Sequence, residues 1–227
     1  MGEIIEGGEN KMDFIGAYSP SHIIFLLKGF SVTLLVAFIS ISLSFIFGIM
    51  IGVLRYTKVP IISHLLAVWV ETIRNLPLLL IIFFTFFALP EIGLKLDKMA
   101  AAILALVVFE STMLSEIVRG GLNSIEKGQI EAARSSGLNY LQTLWYIILP
   151  QALRRMVPPI VSQFISLLKD TSFAVVISLP ELMNHAQIIN GKNINYVIPI
   201  FILVALMYFT VNYLLSLVSR RLENKYI

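Results

Sequence analysis

Long uncharged stretches separated by short polar ones set the pattern of this chain. No charged side chain falls between Gly29 and Leu54, and a helix needs only about 20 apolar residues to cross the hydrocarbon of a bilayer. Five apolar segments of this kind can be marked out: Ser21 to Leu54, a stretch within Pro60 to Leu89, Lys98 to Val118, Val157 to Leu179, and Asn195 to Val218. The second is long enough to include an interfacial part, and Pro77 inside it should break its helix. Strands are not expected, because in lipid only helices and closed barrels satisfy their own backbone groups. A barrel would also show short alternating segments. The pattern therefore predicts an all-α integral membrane protein with five transmembrane helices.

Composition removes the main alternative. The chain is 57% hydrophobic and 14% charged, against about 25% charged in a soluble domain. No long polar segment exists from which a soluble domain could be built, and no internal repeat is visible. The expected organisation is an outer N-terminal segment over 1–20, one transmembrane bundle over 21–219 with a polar loop at 119–155, and a short tail over 220–227. The first apolar segment is too long for a secretory signal, whose apolar region runs to about 7–15 residues, and its leader is acidic. Met12 reads as an alternative start, which would make residues 1–11 an extension. With no Cys, disulfides, thiol catalysis and Cys-based zinc sites are excluded together.

The placement of Lys and Arg gives an orientation. With the N-terminus outside, the inner side carries Arg55, Lys58, Arg119, Lys127, Arg134, Arg154, Arg155, Arg220, Arg221 and Lys225, and the outer side only Lys11, Lys28, Lys95, Lys98 and Lys192. Basic loops stay in the cytoplasm, so the C-terminus and the 119–155 loop are expected inside a multi-pass plasma-membrane protein.

That loop is the most unusual segment. Gly120-Gly121 should stop the third helix, and Asn123 or Ser124 can cap the next. Gly128 to Ser136 is rich in helix formers, and Gly137 should end it. Ala132 and Ala133 leave one side of this short helix nearly bare, so a partner can approach its backbone. Glu131 and Arg134, three apart, share a face. An amphipathic stretch, Tyr140 to Leu149, leads to Pro150. From spacing alone, an ordinary solvated loop explains the segment about as well.

The motif goes further: Glu131-Ala132-Ala133, three residues, Gly137, nine residues, Ile147-Ile148-Leu149-Pro150. With Gly128-Gln129, Pro150-Gln151-Ala152-Leu153-Arg154, Leu167-Leu168-Lys169-Asp170-Thr171-Ser172 and Glu71-x-x-Arg74-Asn75-Leu76-Pro77-Leu78, it resembles the permease subunits of ABC importers in the polar amino-acid uptake class. The resemblance extends over nearly all of residues 12–222 and is nearest to permeases for glutamine. It implies the type I importer permease fold, with a cytoplasmic coupling helix. In that family the helix docks on an ATPase, which assigns ATPase coupling to Glu131, Ala132, Ala133, Arg134 and Gly137. It also implies the other partners: a second permease subunit, alike or related, an external substrate-binding protein and a small amino acid. No nucleic-acid partner is implied. The chain has no G-x-x-x-x-G-K-[ST] phosphate loop, so ATP and Mg are expected on the partner, and this chain is expected to bind no cofactor and to be no enzyme.

Ionisable groups within apolar segments are expensive and mark functional positions. Asp170 and Glu110 could receive the ammonium of an amino acid, Arg74 its carboxylate, and Ser111, Thr171 and Ser172 a side-chain amide. Competing readings stand beside each. Arg74 could sit at the inner interface with Glu71, Lys169 and Asp170 could pair, and Glu110 could be packed between helices. The resemblance favours Asp170. His22, His64 and His185 are too scattered for a metal site. The loop Pro180 to Asn195 lies on the outer side, where it could meet the binding protein. The expected function is a glutamine permease, with glutamate or another polar amino acid as the alternative cargo. A proton-coupled secondary transporter is the alternative class.

Overall fold

The computed structural model describes residues 12–226, and side chains as far as Arg221. Lys11, the proposed extension 1–11 and the side chain of Lys225 lie outside that range. After a turn of helix, α1 (Phe14–Ala17), the described chain forms α2 (Pro20–Tyr56), α3 (Ile62–Arg74), α4 (Leu78–Phe83), α5 (Lys98–Asn123), α6 (Lys127–Ser135), α7 (Tyr140–Thr143), α8 (Leu149–Asp170), α9 (Leu182–Asn190) and α10 (Val197–Tyr226). Four continuous helical stretches are long and apolar enough to span a bilayer, and α3 with α4 and its extension makes a fifth, broken one, bent by 103°. The break falls at Asn75 to Pro77, because Pro77 cannot continue the helix.

The centre of the bundle is the pairing of α2 with α5. One face of α2 is a row of small residues, Gly29, Thr33, Ala37, Ser40, Ser44, Gly48 and Gly52, all buried. A Cβ on Gly48 would stand 2.6 Å from Leu114 Cβ, and one on Gly52 would stand 2.8 Å from the Ser115 carbonyl. Lipid supplies no hydrophobic drive between helices, so contact of this closeness is what holds them. The outward faces of α2 and α10 carry exposed Phe38, Phe47, Phe209 and Leu214, as a lipid-facing surface requires.

Four boundaries differ from the sequence expectation. Gly120-Gly121 do not end α5, which runs to Asn123. Gly121 is there for contact: a side chain on it would collide with Met156 of α8. Neither Asn123 nor Ser124 caps the next helix. Its cap position is Glu126, which makes no side-chain cap bond, and Ser124 Oγ instead donates to the Gly121 carbonyl. Pro150 does not divide the following segment either. A continuous helical stretch runs from Tyr140 to Ile177, passing through a π turn at Leu144–Ile148 immediately before Leu149 and Pro150, the kind of local adjustment that lets a helix carry a proline. Finally, residues 180–195 are not an open loop, since they contain α9.

Candidate functional site

Two regions carry polar chemistry. The first is α6 at the basic end of the bundle. It spans Lys127–Ser135, one residue off the expected range, and ends as expected at Gly137. Gly137 adopts φ +88, a conformation that costs other residues about 1 kcal/mol or more. Its N–H reaches the Arg134 carbonyl, and the Leu138 N–H reaches the Ala133 carbonyl, which closes the helix end. Glu131, Ala132 and Arg134 are exposed, but Ala133 is only 8% exposed. The bare exposed position of the helix is therefore Ala132, and Ala133 seats the helix on the chain. Gln151 ties α8 to Gln129 at 2.6 Å. Beside α6, Tyr140, Leu141, Trp145 and Tyr146 are all more than half exposed.

The second region is the polar line between α5 and α8. Glu110 is 1% exposed, and Gln163 Nε2 donates to its Oε2 at 3.1 Å. Its Oε1 has no partner among the described residues. Ser111 and Thr171 are buried, and each hydroxyl donates to a carbonyl of its own helix, Val108 and Leu168. Asp170 is different. It is half-buried at the end of α8, where the chain tightens into a 3-10 turn over Thr171–Ile177. Among the described residues its carboxylate makes neither a hydrogen bond nor an ion pair within 4 Å, with Lys169 included. Ser172 is part-exposed beside it.

Arg74 is not near this group. Its guanidinium faces Glu116 at 4.0 Å, and Arg55 and Arg119 bind the same carboxylate, Arg119 at 2.6 Å. Glu116 lies six residues beyond Glu110 in α5, about 9 Å nearer the basic end, while Asp170 lies seven residues beyond Gln163 in α8, about 10 Å the other way. The six candidates thus fall into an accessible pair (Asp170, Ser172), a buried set (Glu110, Ser111, Thr171) and an outlier (Arg74). The nearest carboxylate partner of Arg74 is Glu116 rather than Glu71.

Sequence reasoning missed Glu116 as the centre of a three-arginine cluster. It also missed Glu181, only 1% exposed. That carboxylate caps α9, accepting the N–H groups of Met183 (2.9 Å) and Asn184 (2.7 Å), and burial pushes its pKa up to about 7. His185 Nδ1 donates to the Phe25 carbonyl at 2.6 Å, and its ring stacks on that of Phe25. Neither residue is free to meet an outside partner. No signal in a single sequence separates such buried groups from loop polarity.

An all-helical bundle with a broken second span and a small exposed helix between two spans is the architecture of a membrane transport subunit. The chain belongs to the family of binding-protein-dependent transport system inner membrane components, which matches residues 44–227. It is 73% identical over 214 residues to the probable glutamine ABC transporter permease protein GlnP of Bacillus subtilis, covering 93% of this chain and 98% of that one. It is 35% identical to the glutamine transport system permease protein GlnP of Escherichia coli K12, covering 88% and 92%. A solved structure described as an amino acid ABC transporter with histidines superimposes with a TM-score of 0.87 at 27% identity, covering 94% of this chain and 98% of that one.

Proposed function

We propose that this chain is the permease subunit of an ABC importer for a polar amino acid, L-glutamine in particular. The observation that carries the reading is α6, a nine-residue helix whose Glu131 and Ala132 face is held outward at the basic end of a bundle that has no phosphate loop of its own. The 73% identical relative supplies the cargo. The N-terminus lies outside and the basic end in the cytoplasm. There α6 docks on a partner ATPase, which binds the ATP and Mg. A second permease subunit completes the pathway, and an external binding protein delivers the amino acid. ATP closes the ATPase pair, α6 follows, and the population shifts between inward-open and outward-open bundles.

Asp170 receives the ammonium group of the cargo and Ser172 adds a hydrogen bond, with buried Thr171 between them in the chain, while Glu110 and Ser111 lie deeper between α5 and α8. A charge-assisted hydrogen bond contributes about 1.5–3 kcal/mol, so Asp170→Asn should raise the glutamine concentration for half-maximal ATP turnover roughly tenfold or more. An unchanged value would leave Asp170 structural. The class itself is tested in proteoliposomes. Uptake should require the ATPase, ATP and the binding protein, and should survive collapse of the proton gradient. Uptake by this chain alone, driven by that gradient, would overturn the reading in favour of a secondary transporter.

A further inference from the structure

The cluster around Glu116 holds more positive charge than its own carboxylates balance. Arg55 from the end of α2, Arg74 from the end of α3 and Arg119 from α5 converge on Glu116. They line one cleft of about 540 Å³, with Glu71 on its wall, so three cations face two carboxylates. Arg119 spends Nε and one terminal nitrogen on Glu116, and Arg55 spends one nitrogen. Arg74 donates no hydrogen bond among the described residues, since its 4.0 Å approach to Glu116 is too long for one. Its side chain is 37% exposed and that of Arg119 39%. The cleft therefore presents one whole guanidinium fork and part of another, the geometry that grips phosphate oxygens in pairs.

Its setting says where such a phosphate would come from. The neighbouring helix α3 turns through 103° from α4, so it does not continue along the span. Ile61, Ile62, Leu65 and Val68 are all exposed along it, and Val68 also lines the cleft. An exposed apolar row on a short helix lying across the axis is the form of an element resting in the interface of a membrane. Arg55 and Arg119 sit just where the apolar runs of α2 and α5 end. The cleft is thus at headgroup depth, with acyl-chain surface beside it.

We propose that the cleft between α2, α3 and α5 binds the phosphate of an anionic phospholipid from the leaflet on the basic side of the bundle, with Arg74 as the principal ligand. Bound there, the lipid joins the broken second span to α5 and α2 through one headgroup.

The test uses the full chain in its complex with the ATPase, purified in a neutral detergent. The thermal midpoint is followed during addition of dioleoylphosphatidylglycerol, dioleoylphosphatidylcholine or inorganic phosphate. Phosphatidylglycerol should raise the midpoint by roughly 2–4 °C, a change of the size expected for one added contact in a chain of this length. The other two should not. Arg74→Gln should abolish the shift, Arg74→Lys should keep part of it, and Glu71→Gln should lower the lipid concentration needed. Equal shifts with both lipids, or a full shift in folded Arg74→Gln, would overturn the proposal. The same shift from inorganic phosphate alone would assign a free-anion site instead and overturn the lipid assignment.

Discussion

Helices α6 and α9 are each nine residues long, and each lies in a connection between spans. They have opposite relations to the bundle. In α6 only Ala133 is buried, whereas α9 buries Leu182, His185, Ala186 and Ile189, and its cap Glu181 as well. One is held outward by a glycine in the left-handed region and a few polar ties. The other is plugged between α2 and α10 by packing, a cap and a ring stack. Under the proposed function a transporter needs both: a handle that a partner can grasp without disturbing the fold, and a closed joint that keeps spans together while the handle moves. The contrast can be tested by substitutions whose effect on stability should decline from one helix to the other.

The largest effect is expected at Gly29, where α2 meets α9. A Cβ there would stand 2.8 Å from His185 Nδ1 and 2.9 Å from the Glu181 carbonyl. The backbone of a buried cap cannot easily yield, so Gly29→Val should cost about 3 kcal/mol, the upper range for overpacking. The thermal midpoint in detergent should fall by roughly 6–12 °C. An unchanged midpoint would mean that α9 is not seated as described.

Next comes the cap itself. Glu181→Ala removes the acceptor for two backbone N–H groups and should cost about 1–2 kcal/mol. The carboxyl also titrates. Burial raises its pKa from 4.5 to about 7, so the folded state holds a proton that the unfolded state has already released. Its stabilising contribution is complete below about pH 4.5 and is lost as the pH rises through about 7. Glu181→Gln, which keeps an acceptor and cannot ionise, should flatten the fall in midpoint between those values. A slope that survives in this variant would assign the effect to another group.

The two helices also differ in how readable they were. The α6 segment could be read because its features are local: helix formers, a terminal glycine and a motif of fixed spacing within twenty residues. The five spans were legible for the same reason, since hydrocarbon thickness fixes their length whatever they pack against. By contrast, α9 depends on partners far away in sequence, Phe25, Gly29 and Thr33, and nothing within 180–195 announces them. The passage of α5 through Gly120-Gly121 follows the same rule, the contact of Gly121 with Met156 overriding a local stop signal. At the candidate cargo site, the sequence supplied the residue types but not their exposure. Asp170 and Glu110 look equivalent as isolated carboxyls in apolar runs. Only packing makes one accessible and the other sealed by Gln163.

A smaller loss is expected at Gly137. Nothing lies within 4 Å of where its side chain would be, so Gly137→Ala meets no clash and pays only for its positive φ, about 1 kcal/mol. Gly137→Asn should cost less, since Asn tolerates that region. Both should loosen the end of α6 without moving the spans, seen as faster amide exchange confined to the α6 turn. Exchange that spreads into α5 or α8 would show that α6 is structurally continuous with them.

The smallest effect on the fold is expected at Glu131, and it is the one that matters most for function. Its side chain is exposed, and a surface substitution of this kind usually changes stability by no more than about 0.5 kcal/mol. Glu131→Lys should therefore leave the thermal midpoint of the isolated chain unchanged within about 1–2 °C. Reversal of charge at a contact with the ATPase would weaken that contact, and placing like charges together costs several kcal/mol at an interface, so the ATPase should no longer co-purify. Transport should stop although the bundle is intact. If Glu131→Lys lowers the midpoint as much as Glu181→Ala does, then α6 is part of the core and the contrast between the two helices fails. If the midpoint holds and the ATPase still co-purifies in full, the handle lies elsewhere on the basic end, with the exposed Tyr140, Leu141, Trp145 and Tyr146 as the next surface to alter.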